Sequence, residues 1–273
     1  MKCQGDYFMK KTLIALAVAA SAAVSGSAMA WTQNGIGGSV DFSGTLNPKD
    51  LVTPWEVKVG DGVNDLNALI KKGQSSVDVA VNKSILALGI RTASNRAFFG
   101  QTGIAPQIDF KNAIDLNAFE GGVTTLTLDV KDSTSNDKIG TLTAPFNTGA
   151  VGSITGASDF ANVYTYMSAN SASGAVRGFS GGLATDWGKA NKAPQNVLNA
   201  LSTEIMANFD AQGMSFADSG LSSNFSTSGA KYSAAYGAGI LANDTIKIAL
   251  DNPVTGDAEI AWKAELPVTV SYQ

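Results

Sequence analysis

From Ile36 the chain alternates apolar and polar positions: Ile36, Gly38, Val40, Phe42, Gly44 and Leu46 on one side, Gly37, Ser39, Asp41, Ser43 and Thr45 on the other. A period of two over this length describes an extended strand with one face in a core. Gly38 and Gly44 stand on the apolar side, where glycine weakens an ordinary strand and leaves nothing to pack. The pattern suits a strand that slides into a groove and needs a bare backbone where the groove narrows. The far end of the chain alternates too: Leu266, Val268, Val270 and Tyr272 against Thr269 and Ser271. A chain with such a strand at each end must find an apolar partner for both.

The residues ahead of the first strand read as a secretory leader. Lys10 and Lys11 precede an uncharged apolar run from Thr12 to Val24, and Ala28-Met29-Ala30 places small residues where a signal peptidase cuts. The run is too short and wrongly flanked for a membrane span. A start at Met9 would keep the whole signal, and the mature chain is expected to begin at Trp31. Cys3, the single cysteine, precedes the apolar run and so cannot be a lipidated cysteine at the cleavage site. Losing Lys2, Lys10, Lys11 and Asp6 takes the 19 basic residues to 16 and the 23 acidic to 22, a net charge of −6. With no basic patch, nucleic acid is not an expected partner.

A secreted chain without a disulfide is stabilised by its core or by assembly. Histidine is absent from the sequence, which removes Ser-His-Asp and Cys-His catalysis and imidazole metal sites. No cofactor is implied. Charged residues make up 15 % and glycines number 29, a composition of many short strands and turns. The expected fold class is therefore all-β.

Trp55, Val57 and Val59 read as a strand. Leu66, Leu69 and Ile70, between Asn64 and Gly73, predict a short helix. Strands are predicted at Val77 to Val81, Ile85 to Ile90 and Ile104 to Phe110. Leu126 to Val130 and Ile139 to Phe146 predict a hairpin across the polar tip Lys131 to Lys138. The carboxylates of that tip lack the spacing and closing Glu of a calcium loop. Phe160, Val163, Tyr164 and Met167 have helical spacing. So do Val197, Leu198, Leu201, Ile205 and Phe209, after Pro194 at a favoured first-turn position. Residues 148–213 are accordingly read as a mixed helical insertion, and strands resume at Tyr232 to Tyr236, Thr245 to Leu250, Glu259 to Trp262 and Pro267 to Tyr272.

Several stretches resemble the major fimbrial subunits of the K-eighty-eight (F-four) type from enteric bacteria. They are Gly38-Ser39-Val40-Asp41, Trp55-Glu56-Val57-Lys58-Val59-Gly60, Pro106-Gln107-Ile108, Gly181-Gly182-Leu183, Ser233-Ala234-Ala235-Tyr236 and the penultimate Tyr272, with the hairpin Val130-Lys131 and Gly140-Thr141-Leu142. Their order and spacing carry the resemblance. It implies an incomplete immunoglobulin-like β-sandwich over residues 47–273, completed by donor-strand exchange with residues 31–46 of another copy. It also implies identical subunits in a surface fibre, a periplasmic chaperone, an outer-membrane usher and a host glycoconjugate receptor. The donor residues would be Ile36, Gly38, Val40, Phe42, Gly44 and Leu46; the groove and chaperone strand would be Leu266, Val268, Val270 and Tyr272.

Sugar recognition needs flat aromatic faces beside amides and carboxylates, and the residues that offer them are Tyr164, Tyr166, Asp186 and Trp187, with Phe179 and Asn191 nearby in sequence. Packing of those aromatics onto the sheet is the competing reading. The alternatives to a major subunit are a minor fimbrial subunit and an outer-membrane β-barrel, though girdling aromatics on evenly spaced strands are lacking. A carbohydrate-active enzyme would need paired carboxylates, and no pair stands out.

Overall fold

The computed structural model describes residues 33, 42–46, 52–158, 161–171 and 173–273. The chain divides into two compact units, Met1–Asp50 and Leu51–Gln273. In the first, the expected donor residues Ile36, Gly38 and Val40 lie outside the described residues; Phe42 and Leu46 are 93 % and 97 % exposed.

The second unit is built on strands β1 (Trp55–Val59), β2 (Ser76–Ala80), β3 (Ile85–Thr92), β4 (Phe98–Phe99), β5 (Pro106–Asp109), β6 (Val123–Asp132), β7 (Lys138–Thr155), β8 (Val163–Met167), β9 (Phe216–Leu221), β10 (Lys231–Ile240), β11 (Thr245–Leu250), β12 (Trp262–Lys263) and β13 (Thr269–Tyr272), with the helix α1 (Pro194–Leu201) and 3-10 turns at Trp187–Lys189 and Thr203–Met206. The main sheet runs β1-β3-β10-β7-β11-β2. β6 and β8 pair with β7 as well, β12 pairs with β6, β9 runs parallel to β8, and β13 forms a separate ladder with β5.

β7 is the axis. Its first half pairs with β6 on one edge and β11 on the other; its second half pairs with β8 and β10. Burial follows this division. From Lys138 to Phe146 exposed or half-buried residues alternate with buried ones, whereas Phe146 to Ile154 are all buried. The second half is covered on both faces because α1 and the following turn lie across β7 and β10. Leu198, Leu201 and Ile205 pack there against Val151 and Ala235. Glycine makes the approach possible: a Cβ on Gly149 would stand 3.0 Å from the Pro194 ring, and one on Gly237 2.9 Å from both Leu198 and Ile205.

The other face of the sheet holds an aromatic cluster around Trp55. The Trp55 ring sits 5.0 to 5.8 Å from Phe98, Phe179 and Phe225, and its indole N–H donates to the Ile104 carbonyl at 2.7 Å. Phe179 stacks on Tyr236, whose hydroxyl donates to the Gly182 carbonyl; burial pushes that phenol far above its ordinary range. Phe179 and Phe225 are fully buried at φ +63° and +59°. Side chains hold this left-handed backbone only where the surroundings over-determine it.

Two helical readings are corrected. Residues 64–72 have no regular secondary structure, and Leu69 is 99 % exposed. So short a helix is marginal in water without an apolar face packed on a core, and Leu66 is the one of its three apolar residues that packs against the core. Val163–Met167 is a strand, β8, since β7 offers it a free edge; Phe160 lies outside the described residues. Thr148–Thr155, read as the opening of an insertion, continue β7. The helix after Pro194 forms as expected, ending at Leu201 and giving way to a 3-10 turn before Phe209.

Gly149→Val should drive the side chain into Pro194 and lift α1 from the sheet, lowering stability by about 1–3 kcal/mol. Denaturant unfolding of the soluble subunit checks this; an unchanged midpoint would mean that α1 is not seated through this glycine.

Candidate functional site

The C-terminal strand is positioned by β5. Thr269 pairs with Asp109, Val270 with Ile108, Ser271 with Gln107 and Tyr272 with Pro106, and mutual bonds between Ala105 and Gln273 extend the ladder. This register turns Leu266, Val268, Val270 and Tyr272 toward the core, where all four are half-buried, while Glu265, Pro267, Thr269 and Ser271 are exposed. A one-residue slip would reverse both faces. Among the described residues β13 pairs with β5 alone, so its second edge is free.

The core beside that edge is incompletely covered. Val57 and Val59 share the face of buried Trp55, yet they are 41 % and 57 % exposed. Elsewhere in the main sheet Val77, Leu128, Ile139 and Leu250 pack against the core while only partly buried. Trp55 is tied to the residue before Ala105, which bonds Gln273, so the ends of β1 and β13 lie close together. An unpaired strand edge next to half-covered apolar side chains is a template for another strand.

The candidate receptor residues fall on the helix-covered side of β8. Tyr164 is half-buried, its ring 4.9 Å from Phe209 and 5.3 Å from Phe216, and its hydroxyl accepts from the Gln195 amide. Tyr166 is buried, with Trp187 6.3 Å away edge to face. Trp187 is half-buried, and exposed Asp186 caps the 3-10 turn that carries it by accepting from the Gly188 N–H at 2.8 Å. The structure thus brings Tyr166, Asp186 and Trp187 together and gives Tyr164 to the packing of Phe209 and Phe216. No local pattern singled out Gly220 on β9: at φ +75° it lies under the indole, and a Cβ there would stand 2.7 Å from Trp187 and 3.1 Å from the Tyr166 hydroxyl. Phe179 belongs to the core, and the Asn191 amide donates to the Thr148 carbonyl.

A cavity of about 360 Å³ lies between β1, β3 and the 3-10 turn at Thr203–Met206. Its rim carries the ion pairs Glu56–Arg91 at 2.8 Å and Lys58–Glu204 at 2.7 Å. The ammonium of Lys58 holds the Glu204 carboxyl below its usual range through a hydrogen bond and charge. Such exposed pairs contribute little stability. Among the described residues no cluster of acidic groups could hold a metal ion, and no helix is long and apolar enough to cross a membrane.

A sheet whose path ends at β1 and β2, a separate terminal ladder with a free edge and an aromatic shelf on β8 and β9 define a β-domain with unpaired strand edges. The chain belongs to the fimbrial family described as "Fimbrial, major and minor subunit", which matches residues 9–273. It is similar to the F41 fimbrial protein of Escherichia coli, 30 % identical with 97 % of this chain and 100 % of the relative aligned. It is also similar to K88 fimbrial protein AB and K88 fimbrial protein AC of Escherichia coli, each 31 % identical over 97 % of this chain and 100 % of the relative.

Gly220→Ala should unseat the indole, because the new methyl meets Trp187 and the positive φ resists any side chain. The near-ultraviolet circular dichroism of the folded subunit should change; an unaltered spectrum would mean that the shelf does not depend on this glycine.

Proposed function

We propose that this fimbrial subunit polymerises by donor-strand exchange, Ile36 to Leu46 of one copy adding a strand along the free edge of β13 in the next. The observation that carries this reading is the half-buried row Leu266, Val268, Val270 and Tyr272 beside an unpaired edge, with Val57 and Val59 exposed on the Trp55 side of β1. In strand addition main-chain hydrogen bonds supply affinity and alternate side chains fill pockets. Ile36, Val40, Phe42 and Leu46 would fill the wide positions, and Gly38 and Gly44 the narrow ones. Each bulky side chain fully buried contributes roughly 1.5–3 kcal/mol, enough in sum for a long-lived joint. Until that strand arrives, a periplasmic chaperone covers the same face and an outer-membrane usher receives the complex.

Gly44 has no atom within 4 Å of where its Cβ would stand, so Gly44→Val costs the free subunit nothing. It should block polymerisation by clashing in the groove while leaving a folded chaperone complex. Deleting residues 31–46 should give a soluble complex that cannot serve as donor. Long fibres from the deleted chain, seen by electron microscopy, would overturn the reading. Tyr272→Ser removes a half-buried ring from β13, the strand the chaperone would hold, and should lower periplasmic accumulation; wild-type amounts of complex would count against that role.

The adhesive part of the function is assigned to the shelf of Tyr166, Asp186 and Trp187, with Tyr164 behind it, facing a host glycoconjugate. The support is a half-buried indole with a carboxylate on the preceding residue, on a face separate from the terminal edge. Trp187→Ala should leave fibres assembled and weaken their adhesion to host cells. Unchanged adhesion would move the receptor site elsewhere, and a failure to assemble would make Trp187 a structural residue.

A further inference from the structure

We propose that successive copies in the fibre also touch end to end, the Phe99–Lys231 end of one domain seated on the loop Asp61–Lys72 of the next. This rests on the donor-strand reading above. Strand register defines the two ends. Lys231 pairs with Phe99 and with Thr155, and Phe98 packs on Trp55 at 5.1 Å, so this is the end at which the chain enters β1. Seven residues further along β10, Ala238 pairs with Leu88, which pairs with Val59, roughly 23 Å away at the rise of a strand. From there the chain crosses the far end: the Gly73 N–H donates to the Val254 carbonyl, and Lys72 pairs with Asp257.

Each end carries apolar surface that a lone subunit leaves in water. Phe99 is 65 % exposed with the Lys231 ammonium 5.3 Å from its ring centroid. Leu69 is 99 % and Val63 39 % exposed, and the exposed carboxylates Asp61 and Asp65 flank Val63 in the chain. One end therefore offers an aromatic ring with a cation; the other offers Val63 between two carboxylates and Leu69 ahead of Lys71 and Lys72, so the ends match in apolar character throughout and in charge at Val63. Head-to-tail copies joined by strand donation bring two different patches together wherever their domains meet. Tether length forces the approach: residues 47–54, between the donor segment and β1, span at most roughly 29 Å fully extended. The copy that holds the donor segment must then abut the end where the donor's own chain enters β1. The same short tether gives the weak end contact a high effective concentration.

Because Cys3 lies in the expected leader, the mature chain offers no thiol of its own, and an introduced pair reports without background. Fibres of the double variant Leu69→Cys, Phe99→Cys, mildly oxidised, should run as a covalent ladder on a non-reducing gel. Either single variant, and the pair Leu69→Cys, Leu116→Cys, should run as monomer. Fibres of the first pair that stay monomeric overturn the proposal while leaving strand donation intact. Strand donation itself fails only if chains lacking residues 31–46 make fibres. Should the first pair not assemble, Leu69→Ser and Phe99→Ser decide singly: shorter fibres from both, with soluble subunit unchanged, support the contact, and wild-type fibres from both overturn it.

Discussion

One strand holds the domain together. β7 hydrogen-bonds to β6, β8, β10 and β11, so nearly every part of the main sheet reaches every other part through it. The two halves of β7 live in different surroundings, and this explains the two sorts of sequence found along it. Where one face meets the core and the other meets water, Lys138 to Phe146 alternate. Where α1 covers the second face, the strand turns continuously apolar or small, with Gly149 and Gly152 giving room to the side chains that lie across them.

Without disulfides the domain relies on burial, and the aromatic cluster supplies much of it. Trp55 is where β1, the turn at Phe179, the turn at Phe225 and β4 converge. The cost of holding two phenylalanines at positive φ is offset by the ring contacts and by the bond from Tyr236 to Gly182. Burial is strong at this end of the sheet. It fades toward Val59 and Leu250, where apolar side chains remain half in water.

That gradient gives a physical reason for assembly. A closed β-domain has no need of a neighbour, whereas a domain with a free strand edge and a half-covered core gains stability from one. The shelf under Trp187 stands on β8, β9 and a 3-10 turn, none of which pairs with β13 or β5, so under the function proposed above a receptor and another subunit would draw on different residues.

Strict alternation was enough to orient Leu266, Val268, Val270 and Tyr272, since period two leaves a strand only two faces and one of them is apolar. The β6–β7 hairpin, β11 and the helix after Pro194 were legible for local reasons of periodicity, turn chemistry and a proline in the first turn. Helical spacing misled at Leu66 to Ile70 and at Val163 to Met167. A three-to-four residue period states what a segment could bury if it were helical; whether a core or a strand edge waits for it is a property of the rest of the chain. At Leu69 no surface is there, and at Val163 the edge of β7 is. The candidate site divided in the same way. Sequence identified Tyr166 and Trp187 as aromatics near acids, but their meeting over Gly220, and the loss of Phe179 to the core, depend on strands far apart in the chain. Local pattern determined which residues face one way together; only the tertiary structure decided what they face, because burial is shared among distant segments.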